Sequence, residues 1–176
     1  WGVHLVETAL WALGADAKTP LQTAASAQYV AFPRDLEQLP DAFSCSWQFD
    51  DFVMSFTNVV PPTVDFGQQG TYLYGPKGVL HTNRSGYRVL PYPARKDRDG
   101  KVIEPAIDGR LISHREDYDK NDVYTIAHAR NFLECVRSRK APVADITTVG
   151  FHVTLPCLLA RQAVKEGKAL GWNGKK

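Results

Sequence analysis

The chain has 176 residues, 44% of them hydrophobic and 23% charged, which is typical of one soluble globular domain. Its net charge of +2, from 21 basic and 19 acidic residues, argues against nucleic acid as the main partner. No apolar run approaches the roughly 18 residues that a membrane span requires. We therefore expect neither a nucleic-acid nor a membrane partner.

The chain starts at Trp1, directly in a helical pattern and without a Met, which predicts that it is part of a larger protein. Cys45, Cys135 and Cys157 are widely spaced and include no C-x-x-C pair. This spacing argues against a disulfide framework and a zinc ribbon, and it favours three buried, reduced thiols. We expect a cytoplasmic protein, with an export signal upstream of Trp1 left open.

The first predicted element is a helix that ends at Leu13. Its apolar positions recur at helical spacing and predict one buried stripe: Val3, Val6, Leu10 and Leu13. Gly14 suits the position after the last helical turn, and Pro20 blocks any continuation.

The period then changes to two, which is typical of strands. Aromatic and polar residues alternate over 43–49 and again over 52–56, on either side of Asp50 and Asp51, and predict a hairpin. A second hairpin is predicted over 71–82 with its turn at 75–78, and a further strand over 87–90. These short connections indicate antiparallel neighbours.

Residues 91–121 show little periodicity and many charges. A solvated surface excursion is the favoured interpretation, over an active-site lid or a dimer arm. Two helices are predicted after it, one over 123–139 with Asp122 as its N-cap, and one over 148–166 that Pro156 should kink or break.

The order of these elements predicts an α+β fold in a single domain over residues 1–176. We expect an open, mainly antiparallel β-sheet with helices packed on one face.

His4 is the main candidate for chemistry. On a helix it shares one face with Glu7, Thr8 and Trp11. A carboxylate beside a histidine can orient it as a general acid or base, and the same pair could form half of a metal site. From composition alone, a packed histidine at a domain face remains the favoured interpretation.

The other sequence signals are weaker. His81, His114 and His128 do not cluster with carboxylates, whereas His152 could line a cleft at the start of the last helix. The chain contains no G-x-S-x-G, no G-x-G-x-x-G and no P-loop motif. We therefore predict no nucleophile and no cofactor-binding element in this chain.

Three stretches resemble the C-terminal domain of the Gfo/Idh/MocA oxidoreductases. Residues 1–14, WGVHLVETALWALG, resemble the family segment D-x-G-x-H-x-x-D-x-x-x-W. Residues 70–80 resemble its G-x-K-G-x-L hairpin, and residues 131–142, NFLECVRSRKAP, resemble its N-F-L-D-C-x-R-S-x-K-x-P helix end. Residues 167–172 resemble its closing pattern, so the resemblance covers nearly the whole chain.

This resemblance implies a parent enzyme with an upstream Rossmann domain that binds NAD or NADP. The present chain would form the substrate pocket and a homo-oligomer through its sheet face, without binding cofactor or turning over alone. His4 matches the family's catalytic histidine, while the Asp and the Lys of the family would lie upstream. Trp1 and His152 are implied as substrate-binding residues, and a sugar or polyol hydroxyl as the substrate.

The alternative is a non-catalytic self-association module. Its sheet face would carry the aromatic residues of the first hairpin, Trp47, Phe49, Phe52 and Phe56. A third interpretation is a metal site at His4 and Glu7, although the sequence provides no second pair of ligands, and we predict no metal.

Overall fold

A computed structural model describes residues 2–31, 40–59, 70–83, 86–113 and 123–174. The chain folds into two compact units. The first unit contains Trp1–Gln68 and Ala144–Lys176, and the second contains Gln69–Val143. The elements in chain order are α1 (Gly2–Ala12), β1 (Gln22–Gln28), β2 (Ala42–Gln48), β3 (Val53–Thr57), β4 (Thr71–Gly75), β5 (Gly78–Asn83), β6 (Gly86–Pro91), β7 (Arg95–Lys96), β8 (Val102–Glu104), β9 (Arg110–Ser113), α2 (Val123–Ser138), a π-helical turn (Ile146–Gly150), α3 (Phe151–Glu166) and β10 (Leu170–Gly171).

The first unit contains a four-stranded antiparallel sheet in the order β10-β1-β2-β3. Both α1 and α3 pack with this sheet around one core. The second unit contains a four-stranded antiparallel sheet in the order β4-β5-β6-β9 and the small hairpin β7-β8. The predicted α+β class with mainly antiparallel sheets is therefore confirmed.

α1 confirms the predicted first helix, but half of its predicted apolar stripe is wrong. Val6 and Leu10 are buried, whereas Val3 and Leu13 are 38% and 47% exposed. The helix contacts the core through its middle turns, so the apolar residues at its two ends lie outside the contact. Gly14 ends the helix in the left-handed region (φ 62°), and its N–H donates to the carbonyl of Trp11 at 3.0 Å.

The inner face of the first sheet contributes the large aromatic residues of the core. Trp47 is 1% exposed, and Phe49 is 3% exposed. The indole Nε1 of Trp47 donates to the carbonyl of Pro156 at 2.8 Å, which ties β2 to α3. Phe52 and Phe56 are half-buried and pack against the same core. The expectation that these aromatic residues form an exposed association face is therefore wrong, because helices cover them within the chain.

The second sheet confirms the predicted hairpin and adds a strand that the sequence did not predict. β4 and β5 pair from Thr71↔Thr82 to Gly75↔Gly78 around the predicted turn, and β6 continues the sheet. β9 then pairs with β6, although we expected no regular structure over 91–121. Its four residues and the short hairpin β7-β8 are too brief to show periodicity, so pairing with a neighbour defines them. Residues 114–122, with His114 and Asp122, lie outside the described residues.

α2 and α3 confirm the two predicted C-terminal helices. The apolar side of α2 is largely exposed, with Ile126 58% and Leu133 54% accessible. Of the two outcomes expected at Pro156, a kink or a break, the break is wrong, because α3 is continuous through this residue. The departure from α-helical geometry comes six to ten residues earlier, in the π-helical turn Ile146–Gly150. Gly167 ends α3 in the left-handed region (φ 64°), as predicted.

Candidate functional site

His4 lies on the outward face of α1. Val6 and Leu10 hold the opposite side of this helix in the core, so the backbone that carries His4 is anchored. The His4 side chain is exposed, and Trp11, two turns further on, is 72% exposed. His4 therefore does not belong to the core of the chain, and its imidazole is accessible to a substrate or to another domain.

Two polar neighbours share this face, as the sequence predicted. Glu7 and Thr8 are half-buried. The Thr8 hydroxyl donates to the carbonyl of His4 at 2.9 Å, which holds the side chain of Thr8 against its own helix turn. We call His4, Glu7, Thr8 and Trp11 the α1 outer face.

Trp1, which was predicted to bind substrate, lies outside the described residues. The other predicted substrate-binding residue, His152, is half-buried in the first turn of α3. Its Nδ1 contacts the carbonyl of Thr148, one turn earlier, and Phe151 packs edge-on against its ring at 5.1 Å between centroids. Because a carbonyl only accepts, Nδ1 carries the proton in this contact and Nε2 remains for a further partner.

The helices that carry His4 and His152 are neighbours. α1 packs on α3. At the start of α1, a Cβ added to Gly2 would lie 3.3 Å from the Sγ atom of Cys157, which follows His152 by little more than one helical turn. The structure therefore places both predicted histidines in one unit and on adjacent elements.

The thiols of this unit are unsuited to nucleophilic chemistry. Cys45 is buried, and its burial, followed by the proximity of Cys157, raises its pKa to about 12. Burial also raises the pKa of Cys157. A thiol in this state carries almost no thiolate near neutral pH. All three cysteines are unbridged.

The sequence indicated no specific role for His81, yet it is a buried residue on β5, between β4 and β6 of the second sheet. It is 2% exposed, and its ring stacks on Tyr72 of the neighbouring strand at 4.2 Å between centroids. Burial lowers its pKa, and the nearby charge of Arg88 lowers it further, so the neutral form is favoured. The signal that the sequence offered was the predicted turn at 75–78, because the turn sets the hairpin register that places His81 opposite Tyr72.

The described residues contain no group of three or more His, Cys, Asp or Glu side chains that could hold a metal ion. Within the same part of the chain, every helix is too short or too polar to cross a membrane.

Solved structures show what this arrangement resembles. An aldose-aldose oxidoreductase from Caulobacter crescentus, crystallised with glycerol, matches 97% of this chain with a TM-score of 0.56 and 12% sequence identity. The oxidoreductase yvaA from Bacillus subtilis, described as putative, matches 98% of it with a TM-score of 0.50 and 14% identity. No protein-family model and no curated protein matches the chain.

These similarities define the fold. The chain spans 46% and 50% of the two matched proteins, which is about half of each. It therefore shares the fold of about half of each of these two oxidoreductases, which agrees with the fold that the sequence resemblance predicted.

Proposed function

We propose that this chain is the substrate-binding and oligomerisation part of a nicotinamide-dependent oxidoreductase that acts on a sugar or polyol hydroxyl. The observation that carries the proposal is the position of His4, at the matching place of the family segment and exposed on a helix whose other side is anchored in the core. The similar protein crystallised with glycerol, a polyol, supports this substrate class.

In this proposal His4 moves the proton of the reacting hydroxyl. Oxidation of an alcohol to a carbonyl releases a hydride and a proton, and a neutral imidazole can accept the proton. His152, with Nε2 available, and Trp1 would orient the substrate hydroxyls. The carboxylate that completes the family's catalytic set would come from an Asp directly before Trp1, and the ammonium group from a Lys of the upstream Rossmann domain.

A nicotinamide, NAD or NADP, would supply the hydride acceptor in the parent enzyme. The residues of this chain do not fit such a cofactor. Its sequence has no G-x-G-x-x-G, and the strands that the structure describes pair only in antiparallel fashion, whereas the dinucleotide site of a Rossmann domain follows a parallel strand. We therefore assign to this chain only the transfer of the proton and the binding of the substrate.

The second sheet is the more suitable surface for the proposed homo-oligomer. Tyr74 is 75% exposed and Leu111 is 60% exposed on one face of it, whereas the aromatic face of the first sheet is covered. Large exposed side chains in a sheet often mark contacts between chains. We further propose a cytoplasmic location, because a reducing compartment suits three unbridged thiols.

The decisive experiment replaces His4 in the full-length protein. For His4→Gln we expect kcat with a polyol or sugar substrate to fall by at least about 100-fold, the usual contribution of a general base. His128→Gln, a change of another exposed histidine on α2, is the matched control and should leave kcat unchanged.

Near-normal turnover of a folded His4→Gln enzyme would overturn the catalytic role. The chain would then be better described as the alternative, a non-catalytic self-association module. Elemental analysis of the same samples addresses the third interpretation, because a stoichiometric metal lost on His4→Gln would assign His4 to a metal site instead.

A further inference from the structure

A groove on the first unit lies between α3 and Trp172, the residue that follows β10. Gly167 reverses the chain after α3, and β10 then pairs with β1 through Thr23↔Leu170. The N–H of Trp172 donates to the carbonyl of Leu21 at 3.2 Å, which fixes the backbone of Trp172 beside the helix. The groove has a volume of about 440 Å³, within the usual range of small-molecule sites. It is lined by Leu155, Leu158, Leu159, Arg161, Gln162, Lys165 and Trp172.

The lining of the groove combines apolar side chains with two positively charged side chains. Three leucines and Trp172 supply the apolar surface, and Leu158 is 55% exposed in it. Arg161 and Lys165 are one helical turn apart and therefore on the same side of α3. Both are exposed, and the lining that the described residues form includes no carboxylate.

The nearest acidic residue, Glu166, is already engaged. Its carboxylate accepts a hydrogen bond from Gln162 Nε2 at 2.6 Å and pairs with Lys168 at 3.0 Å. These two contacts, with a smaller contribution from Lys165, lower the pKa of Glu166. Among the described residues no carboxylate lies within 4.0 Å of the charged nitrogens of Arg161 or Lys165. The groove therefore keeps an excess of positive charge.

We propose that this groove binds a small organic carboxylate with an aliphatic body. The guanidinium of Arg161 can donate two parallel hydrogen bonds to a carboxylate, and Lys165 adds a second charge one turn away. The leucines and the Trp172 ring then cover the aliphatic body, which removes apolar surface from water on both sides. The lining includes neither His4 nor His152, so this site does not depend on the proposed function.

The test titrates the 176-residue chain with octanoate and monitors its amide and indole resonances by NMR. We expect saturable shifts centred on the Trp172 indole and on 155–165. Octan-1-ol, which lacks the charge, and acetate, which lacks the body, should each bind at least about tenfold more weakly. If octan-1-ol bound as tightly as octanoate, the charged side chains would not contribute, and if acetate did, the apolar side chains would not. Either result would overturn the proposal.

A charge variant locates the site. Arg161→Gln with Lys165→Gln changes two exposed side chains and should weaken octanoate binding by at least about tenfold. The matched control, Arg137→Gln with Lys140→Gln, removes the same charge from the last turn of α2 and the residues that follow it, and should bind like the unchanged chain. Equal loss in both variants would show a net-charge effect, and shifts centred outside the groove would show another site. Both results would overturn the assignment.

Discussion

Trp47 and Trp11 are the same residue type in opposite surroundings. Trp47 is 1% exposed and donates its indole N–H to Pro156, 109 positions later in the chain. Trp11 is 72% exposed on the α1 outer face. A strand position of period two predicted that Trp47 faces a core, but no local pattern could name its partner, because Pro156 becomes a neighbour only when α3 packs on the sheet.

Trp47→Phe should destabilise the first unit by about 2 kcal/mol. The smaller ring leaves a gap in the core, and the carbonyl of Pro156 loses a buried donor. Urea unfolding followed by tryptophan fluorescence measures the change. Trp11→Phe is the matched control and should change the free energy of unfolding by less than about 0.5 kcal/mol. Equal effects at the two positions would contradict the described burial of Trp47.

Among the elements, the entry into α3 shows what a local signal can and cannot determine. The Asp145 carboxylate accepts from the Thr148 N–H at 2.9 Å and from the Thr147 hydroxyl at 2.6 Å. These two hydrogen bonds lower its pKa to about 2. An Asp three residues before Thr148 is a recognisable cap signal, although the apolar spacing predicted a helix that begins at Thr148 itself. The intervening π-helical turn has no comparable signature in the sequence.

Asp145→Ala should lower the stability of the first unit in a pH-dependent way. Because the pKa of Asp145 is lower in the folded chain than its ordinary value of 3.8, the carboxylate stabilises the fold above that pH. The contribution is lost as the pH falls towards about 2. Urea midpoints of the chain and of the variant should therefore differ at neutral pH and converge in acid.

The control for this change is Asp108→Ala, which alters an exposed acidic residue in the second unit. Its urea midpoint should follow that of the unchanged chain at every pH. If the deficit of Asp145→Ala were equally large near pH 2, the charge of Asp145 would not be the cause, and the helix entry would depend on side-chain size instead.

At the scale of the whole molecule, the first unit is assembled from both ends of the chain. Its sheet strands β1, β2 and β3 precede the second unit, whereas α3 and β10 follow it. The core joins Cys45 and Trp47 to Val153 and Ala160. The intervening second unit is an insertion in sequence, and the contacts that bury Trp47 form only when the C-terminal segment is present.

A chain that ends at Val143 should therefore fail to bury Trp47. Such a chain keeps β1, β2 and β3 but loses α3, so the apolar face of the sheet has too little cover to exclude water. We expect its tryptophan emission to match that of the urea-unfolded chain. A chain that ends at Gly174 retains every core residue and should emit like the complete chain. Native-like emission from the shorter chain would contradict this assembly.

The sequence predicted those structural features that depend on residues close together along the chain. α1, the two hairpins and the end of α3 at Gly167 followed from periodicity and from residues suited to turns. The position of His4 also followed, because a helix register fixes which residues share a face. β9 was missed because it is defined by its pairing with β6, whose residues lie 21 to 27 positions earlier, and not by its own four residues.

The sequence by itself determined the α+β class, the family resemblance and the helix face that carries His4. Only the tertiary structure decided which apolar surfaces are covered. It buried Trp47 and Phe49, left Trp11 and the apolar side of α2 accessible, and placed Arg161 and Lys165 beside Trp172. Periodicity shows that an element has an apolar side, but burial requires a second surface, which segments distant in sequence supply when the chain folds.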